Sequence, residues 1–432
     1  MPSIFYYLIA FLVLGLFIAV MLFSSTNKNK LYIKYLIFFY PFIALDYFPS
    51  TISPNLFDYI TIIYLVLFYN YNKVEVKNGI IYFRLFILLT IIAILGIVFA
   101  DSLSYLTSTA LLQYFTVFCF AKILIDECIS DRAFLFVVID YLKIPLIISF
   151  VFLLIQLIVG PEFSFERSMN HNVIGGLSIR YPSFFQDPQK YAQFLSVSSF
   201  LVLIKNNDQK NIRLFNVILF IISIVAMMFT GGRAGLGGWL IGIVFLTLFG
   251  SIQYKTTIVL LGSILVAIFY NTSDVFPMFN RVVSLSEDYD FRYSIWQDAF
   301  KIYLDHPVLG IGIGNYSNYV SLHNPDQFWW ADNAYAYFDH PESGYLKFLT
   351  EFGSIGFVSV FLLILTPIAF ALQVFNRTKN YIIILLIAAL ISWLISFYTL
   401  YSFDDNRIKI LIITIICFLI TSYKWAILDD KK

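Results

Sequence analysis

The sequence IFYYLIAFLVLGLFIAVMLF at residues 4–23 carries no charged side chain and is long enough to cross a lipid bilayer as a helix. Similar apolar stretches recur along the 432-residue chain, of which 60% is hydrophobic and only 13% is charged. A backbone in hydrocarbon must satisfy its own hydrogen bonds, so membrane spans are helices or closed barrels. The apolar runs are continuous and lack the period of two that barrel strands show. The sequence therefore predicts an all-α polytopic integral membrane protein, with residues 1–432 forming a single transmembrane domain.

The need for ~20 apolar residues per crossing predicts about 12–13 transmembrane helices. The first run has neither a basic leader nor a small-residue cleavage site, so we interpret it as a retained span. The predicted spans are 4–23, 31–48, 56–70, 80–99, 103–123, 134–159, 190–205, 213–230, 234–251, 255–271, 342–374, 381–401 and 407–425.

The distribution of lysine and arginine predicts the orientation, because cytoplasmic loops are enriched in both residues. The basic clusters lie at 28–34, 73–77, 205–213, 377–379 and 424–432. If these segments are cytoplasmic, the two long interruptions at 160–190 and 272–341 form a first and a large extracytoplasmic loop. With thirteen spans, the N-terminus is then also predicted to be outside.

Composition argues against several other kinds of site. The three cysteines lie in or beside spans, and their spacing suggests neither a disulfide framework nor zinc. With a formal net charge of +1 and no basic patch, nucleic acid is not an expected partner. The acids Glu287, Asp288 and Asp290 could hold a hard cation, but a solvated acidic loop is the simpler interpretation. We expect neither a metal nor a cofactor.

Three arginines are predicted to reach the outer membrane face. Arg180 lies in SIRYPSFFQDPQKYAQFL at 178–195, and Arg233 lies in the glycine-rich junction TGGRAGLGGWL. Arg292 opens an amphipathic stretch in the large loop, where apolar residues recur at helical spacing. A guanidinium group keeps its charge and binds phosphate oxygens through a rigid fork, which suits a phosphate-bearing lipid. The alternative role for each arginine is anchoring to lipid headgroups.

All four histidines lie in the two predicted outer loops, and His340 is the best candidate for chemistry. It precedes the eleventh predicted span in HPESGYLKFLTEFGSIG. A neutral imidazole can take a proton from an attacking hydroxyl, and Glu342 could do the same or orient the histidine. The alternative is an interfacial flank, with Glu342 favouring the positive end of the helix. Glu351, further along, is expected to serve packing or support.

These motifs in order resemble the O-antigen ligase and polymerase superfamily, including Wzy-like surface-polysaccharide polymerases. The resemblance covers about 170–360, whereas the first 150 residues are similar only as serial spans. It is carried by Arg180 with Asp187-Pro188, Thr230-Gly231-Gly232-Arg233-Ala234, Arg292, His306-Pro307, Gly310-x-Gly312-x-Gly314-Asn315, His340, Tyr345-Leu346 and Glu351-x-Gly353-x-x-Gly356.

The resemblance implies a fold similar to C-type glycosyltransferases and a metal-independent glycosyl transfer, inverting or retaining. Arg233 and Arg292 would hold the donor pyrophosphate with help from Arg180, and His340 would activate the acceptor hydroxyl. Pro341 to Gly344 depart from the family pattern, so Glu342 stays an alternative base. The implied substrate is an undecaprenyl-pyrophosphate-linked oligosaccharide. The implied location is the bacterial cytoplasmic (inner) membrane, among membrane lipids, with the site facing the periplasm or cell exterior.

The sequence leaves the exact reaction open. A polymerase adds the donor to a second lipid-linked repeat, whereas an O-antigen ligase transfers it to lipid A core. High aromatic content and a bias to isoleucine, asparagine and lysine favour a polymerase, with a chain-length-regulating co-polymerase as a partner. A lipid-oligosaccharide flippase would need a polar path through the bilayer centre, and the spans contain few interior cations. A scaffold would not require arginines and a histidine on one face.

Overall fold

Helices dominate the part of the chain that the structure, a computed structural model, describes. The described residues are 4–45, 54–69, 80–100, 106–164, 179–205, 213–256, 262, 276–278, 285–323, 328–331, 334–337 and 340–429. The helices are α1 (Ile4–Phe23), α2 (Lys28–Phe38), α3 (Leu56–Leu67), α4 (Ile80–Val98), α5 (Leu106–Ser130), α6 (Arg132–Val159), α7 (Pro188–Val202), α8 (Leu214–Thr230), α9 (Arg233–Phe249), α10 (Leu285–Asp305), α11 (Tyr316–His323), α12 (Gly344–Thr378), α13 (Tyr381–Phe397) and α14 (Asn406–Asp429).

Four helices among the described residues are long and apolar enough to cross a membrane, by length and composition. They are α5, α6, α12 and most of α14, and six shorter apolar helices accompany them. The predicted all-α polytopic fold is confirmed. One addition to it is a small antiparallel hairpin, in which β1 (Phe328–Ala331) pairs with β2 (Ala334–Tyr337).

Most predicted spans coincide with helices to within a few residues, but the span predicted at 31–48 is wrong as a continuous helix. The helix there ends at Phe38 and is followed by a 3-10 turn over Tyr40–Phe42. Pro41 lacks a backbone N–H and disfavours helical geometry at the residue before it, which explains the interruption. The span predicted at 255–271 lies mostly outside the described residues.

The helices α7, α9 and α13 pack closely because small residues line their contacts. A methyl group on Gly238 would lie 2.2 Å from the Ser392 carbonyl oxygen of α13. A methyl group on Gly235 would lie 2.8 Å from the Ala192 backbone of α7. Close backbone approach at small residues is a common source of helix association in membranes. The packing holds the beginning of α9, and hence Arg233, beside the beginning of α7.

A break in α12 explains the spaced glycines that precede it. Gly353 has φ 62° and ψ −170°, so the helix is interrupted there. The backbone N–H of Ile311 donates to the Thr350 carbonyl (2.9 Å), and that of Gly312 donates to the Glu351 carbonyl (3.1 Å). Gly310, with φ 71°, fits because a methyl group on it would lie 2.5 Å from the Thr350 carbonyl oxygen. This segment therefore docks against the broken helix.

Candidate functional site

Arg292, Glu342 and His340 form one partly buried cluster. One guanidinium nitrogen of Arg292 (Nη2) lies 3.4 Å from Oε2 of Glu342, and Nε2 of His340 lies 3.9 Å from Oε1 of the same carboxylate. A second guanidinium nitrogen of Arg292, Nη1, donates to the Thr399 carbonyl at 3.1 Å. The His340 ring packs against Tyr401, with centroids 5.3 Å apart. The structure thus brings three predicted site residues together, with the carboxylate between the two others.

Three separate chain segments build this cluster. Arg292 lies on α10, and His340 and Glu342 lie just before α12. Thr399 and Tyr401 belong to residues 398–405, which join α13 to α14 and which we call the α13–α14 linker. Only a fold that returns the chain to one face can assemble a site from such distant segments.

The backbone at Glu342 adopts an unusual conformation. Its φ of 52° is in the left-handed region, which costs a residue with a side chain of this kind ~1–2 kcal/mol. Two residues later, Gly344 packs against Phe397, and a methyl group there would lie 2.2 Å from the ring. Strained backbone of this kind occurs preferentially at functional sites, where the surroundings enforce it. Packing around this turn therefore holds Glu342 in a backbone conformation that it would otherwise disfavour.

Arg180 contacts the junction between α8 and α9, and Arg233 belongs to the same junction. Nε of Arg180 donates to the Thr230 carbonyl at 2.9 Å, and the backbone N–H of Tyr181 donates to the Phe229 carbonyl at 3.3 Å. Gly231 ends α8 in the left-handed conformation, with φ 61°. Arg233 is the first residue of α9, where unpaired N–H groups and the helix dipole favour an anion. The junction therefore places two guanidinium-bearing residues beside a helix N-terminus.

Lys190 connects this junction to the α13–α14 linker. It lies near the start of α7 and forms an ion pair with Asp404 of the linker. A methyl group on Gly232 would lie 3.6 Å from Cα of Gln189, which immediately precedes Lys190. The same linker supplies Thr399 to Arg292 and Tyr401 to His340. The arginine junction and the histidine cluster are therefore supported by one shared segment.

Arg407 fixes the linker against the segment that carries Arg180. Its guanidinium lies 2.7 Å from Asp405, donates to the Phe184 carbonyl at 2.8 Å and lies 4.6 Å from the centroid of the Phe185 ring. Burial raises the pKa of Asp405, but the charge and hydrogen bonds of Arg407 outweigh burial and hold that pKa below its usual range. Neither Lys190 nor Arg407 was identified from the sequence. The only local signal was the charged sequence DDNR at the edge of a span.

The remaining predicted candidates lie elsewhere. His306 and His323 both contact Tyr319 of α11, the first through its Nε2 at 3.1 Å and the second by stacking at 4.1 Å. Glu351 is buried, lies 2.9 Å from the Lys347 ammonium and accepts from the backbone N–H of Tyr316 at 3.2 Å. His171 lies outside the described residues, and the acids Glu287, Asp288 and Asp290, predicted to form a loop, belong to α10, where their side chains are not described. Within the described residues, no cluster of three potential metal ligands occurs.

The helices define a polytopic membrane protein, and one segment of it matches a known family. Residues 218–361 match the family model Wzy_C, described as O-antigen ligase. The matched third of the chain includes Arg233, Arg292, His340 and Glu342, whereas Arg180 precedes it. A comparison with curated proteins finds no match. The family match confirms the predicted resemblance to the O-antigen polymerase and ligase superfamily.

Proposed function

We propose that this protein is a membrane glycosyltransferase that moves an oligosaccharide from undecaprenyl pyrophosphate to a sugar hydroxyl at the outer face of the cytoplasmic membrane. The observation that carries the proposal is the Arg292–Glu342–His340 cluster, which lies within the segment that matches the O-antigen ligase family. It combines a fixed cation for phosphate with an imidazole and a carboxylate for proton transfer. Arg180 and Arg233 at the α8–α9 junction supply further positive charge.

In the proposed reaction, the acceptor hydroxyl attacks the anomeric carbon of the donor sugar. A new carbon–oxygen bond forms there, the bond from that carbon to the pyrophosphate oxygen breaks, and the pyrophosphate leaves with the electron pair. The hydroxyl proton passes to His340 or, alternatively, to Glu342. Guanidinium groups aimed at the leaving oxygens stabilise the charge that develops on them. General-base catalysis of this kind contributes typically ~10²–10⁴-fold to rate.

The position of Glu342 suggests how substrate binding prepares the base. In the structure, its carboxylate lies between Arg292 (3.4 Å) and His340 (3.9 Å) and is too far from the imidazole for a hydrogen bond. An arriving pyrophosphate competes with the carboxylate for the guanidinium of Arg292. Release from Arg292 allows Glu342 to approach His340, where it stabilises the protonated ring. Donor binding and base activation are coupled in this way.

Among reactions on such a donor, we propose polymerisation of repeat units into a surface polysaccharide, either O-antigen or capsule. The high aromatic content supports a polymerase, and the chain-length-regulating co-polymerase remains a proposed partner. The second candidate is an O-antigen ligase that transfers glycan to lipid A core, and the description of the matched family as O-antigen ligase favours it.

Glycan display by cells lacking the gene tests both candidates. We compare complementation by wild type, by Arg233→Ala, by His340→Ala and by Arg377→Ala, an exposed arginine at the other end of α12, all at matched expression. A polymerase restores a ladder where the deletion leaves one repeat on the lipid core. A ligase restores attachment where the deletion accumulates long polymer on its carrier. A full ladder from Arg233→Ala and His340→Ala would contradict the proposed site.

A further inference from the structure

An elongated cavity of about 390 Å³ lies between α4, α5, α12 and α14, next to the candidate site. Its polar lining is concentrated where these helices begin or meet the linker. Its apolar lining continues toward the middle of α5, α12 and α14, at Ala121, Ile364 and Ile416. The polar and charged lining residues include Gln113, Lys347, Glu351, Tyr401, Asp404 and Lys409.

The dimensions of the cavity suit a single hydrocarbon chain. Its lining residues on α5 run from Leu106 to Ala121, which corresponds to ~22 Å along a helix. The volume is roughly two to three times that of a ~150 Å³ cavity that holds benzene. Space for roughly two to three five-carbon units is therefore available.

The mouth of the cavity carries buried cations. Lys409 is only 8% exposed, and its ammonium donates to Oε1 of Gln113 at 3.0 Å. The ammonium of Lys347 lies over the rings of Tyr316 and Tyr401, at 5.4 and 5.5 Å, and forms an ion pair with Glu351. Charged side chains at one end of an apolar channel match a molecule that has a polar head and an apolar chain.

Tyr401 joins the cavity mouth to the candidate site. The tyrosine lines the cavity on one side and packs against the His340 ring at 5.3 Å on the other. A lipid chain that ends at this mouth therefore presents its head beside His340. Only the part of a glycolipid next to its phosphate can lie there, because the reacting sugar carbon is attached to that phosphate.

We propose that this cavity binds the first isoprenoid units of the donor lipid, and that Lys347 and Lys409 at its mouth add to the positive charge that the arginines of the candidate site offer to the diphosphate. The inference rests on the proposed function and identifies the side of the site from which the donor enters. In this arrangement the cavity positions the diphosphate, so that its bond to sugar faces His340. The remainder of a long isoprenoid chain extends beyond the cavity.

Photolabelling of the purified full-length protein in detergent tests the proposal. The probe is a benzophenone-bearing analogue of farnesyl diphosphate, and labelled peptides are mapped by mass spectrometry. We expect labelling within 106–121, 347–364 or 409–416, and displacement by farnesyl diphosphate. Dioleoylphosphatidylglycerol at the same concentration should displace the probe at least tenfold less well. Equal displacement by this phospholipid would mean an ordinary membrane-lipid site and would overturn the proposal.

Two valine substitutions on one helix provide a matched pair. Val360 lines the cavity and is 8% exposed, whereas Val358 lies on the same helix and is 54% exposed. We expect Val360→Phe to reduce labelling at least tenfold and Val358→Phe to leave it unchanged. Leu363→Trp fills the same cavity and replaces Val360→Phe if that variant does not fold. Equal labelling of the filled variant and Val358→Phe would overturn the proposal.

A substitution at the mouth tests the placement of the lipid head and separates this inference from the proposed function. Lys409→Met should reduce the preference for farnesyl diphosphate over farnesol at least fivefold, and an unchanged preference would contradict the placement of the diphosphate. Labelling requires no glycosyl transfer. If cavity-filling variants bind normally while Arg233→Ala abolishes the ladder, the cavity assignment alone fails. If binding follows the prediction while Arg233→Ala and His340→Ala keep a full ladder, the proposed function fails.

Discussion

Glu342 permits a prediction in which stability and activity change in opposite directions. Replacing it with glycine relieves ~1–2 kcal/mol of backbone strain, because glycine adopts φ 52° without the steric clash of a side chain. The substitution also removes the ion pair with Arg292, which at 3.4 Å and with both side chains partly exposed contributes ~0.2–1 kcal/mol. Glu342→Gly should therefore be as stable as wild type, or more stable by about 1 kcal/mol.

The matched variant is Glu342→Gln, which keeps the backbone strain and loses the same charge. It should be less stable than wild type by ~0.2–1 kcal/mol and less stable than Glu342→Gly by ~1–2 kcal/mol. Both variants should lose most glycan ladder, since neither has the carboxylate. The assay is equilibrium unfolding of purified protein in one detergent, combined with complementation of deletion cells. A glycine variant that is less stable than the glutamine variant would refute the reasoning about strain.

Three further predictions concern the elements that support the site. Gly353→Ala should destabilise the fold by ~2 kcal/mol or more in the same unfolding assay, because φ is 62° and the methyl group would lie 2.3 Å from a carbonyl oxygen; Gly237→Ala, with nothing within 4 Å, should not. Asp405→Asn should cost ~3–5 kcal/mol at pH 7, since it leaves the buried Arg407 charge without its carboxylate. Because the pKa of Asp405 is lowered on folding, the stability that this pair gives the wild type is present above ~pH 4 and is lost as pH falls through the lower folded-state pKa. The variant should lack this acid dependence of stability. A variant with the same acid dependence as wild type would contradict the assignment. Arg233→Lys should lower the rate of transfer by roughly 10–10³-fold, because an ammonium cannot reproduce the guanidinium fork, and a rate equal to wild type would argue against phosphate binding there.

Much of the helical architecture can be predicted from the sequence because membrane helices are recognisable by their length and composition. Residues 381–401 predict a span, and the structure has a helix over Tyr381–Phe397. The prediction failed at 31–48, where counting apolar residues took no account of the effect of one proline, Pro41. The spaced glycines before α12 are evident in the sequence, but the sequence does not show what they pack against. They pack against the break in α12 at Gly353, which hydropathy does not reveal.

Only some residues of the candidate site could be predicted from the sequence. Arg292, His340 and Glu342 were named from charge and position at the outer face, and the structure places them together. Lys190 and Arg407 were missed because their partners are remote or look ordinary in the sequence. The ion pair of Lys190 with Asp404 joins residues more than two hundred positions apart, so no local pattern predicts it. The left-handed backbone of Glu342 is likewise set by tertiary packing.

The most direct test of the central claim is glycosyl transfer by the purified protein alone. The substrate is a fluorescent oligosaccharide repeat on undecaprenyl pyrophosphate, and products are resolved by size after incubation with wild type, Arg292→Ala, His340→Ala or Arg377→Ala. We predict that wild type and Arg377→Ala build longer chains on the lipid, and that the other two lose at least ~10²-fold in rate. Transfer at the wild-type rate by Arg292→Ala and His340→Ala would contradict the account.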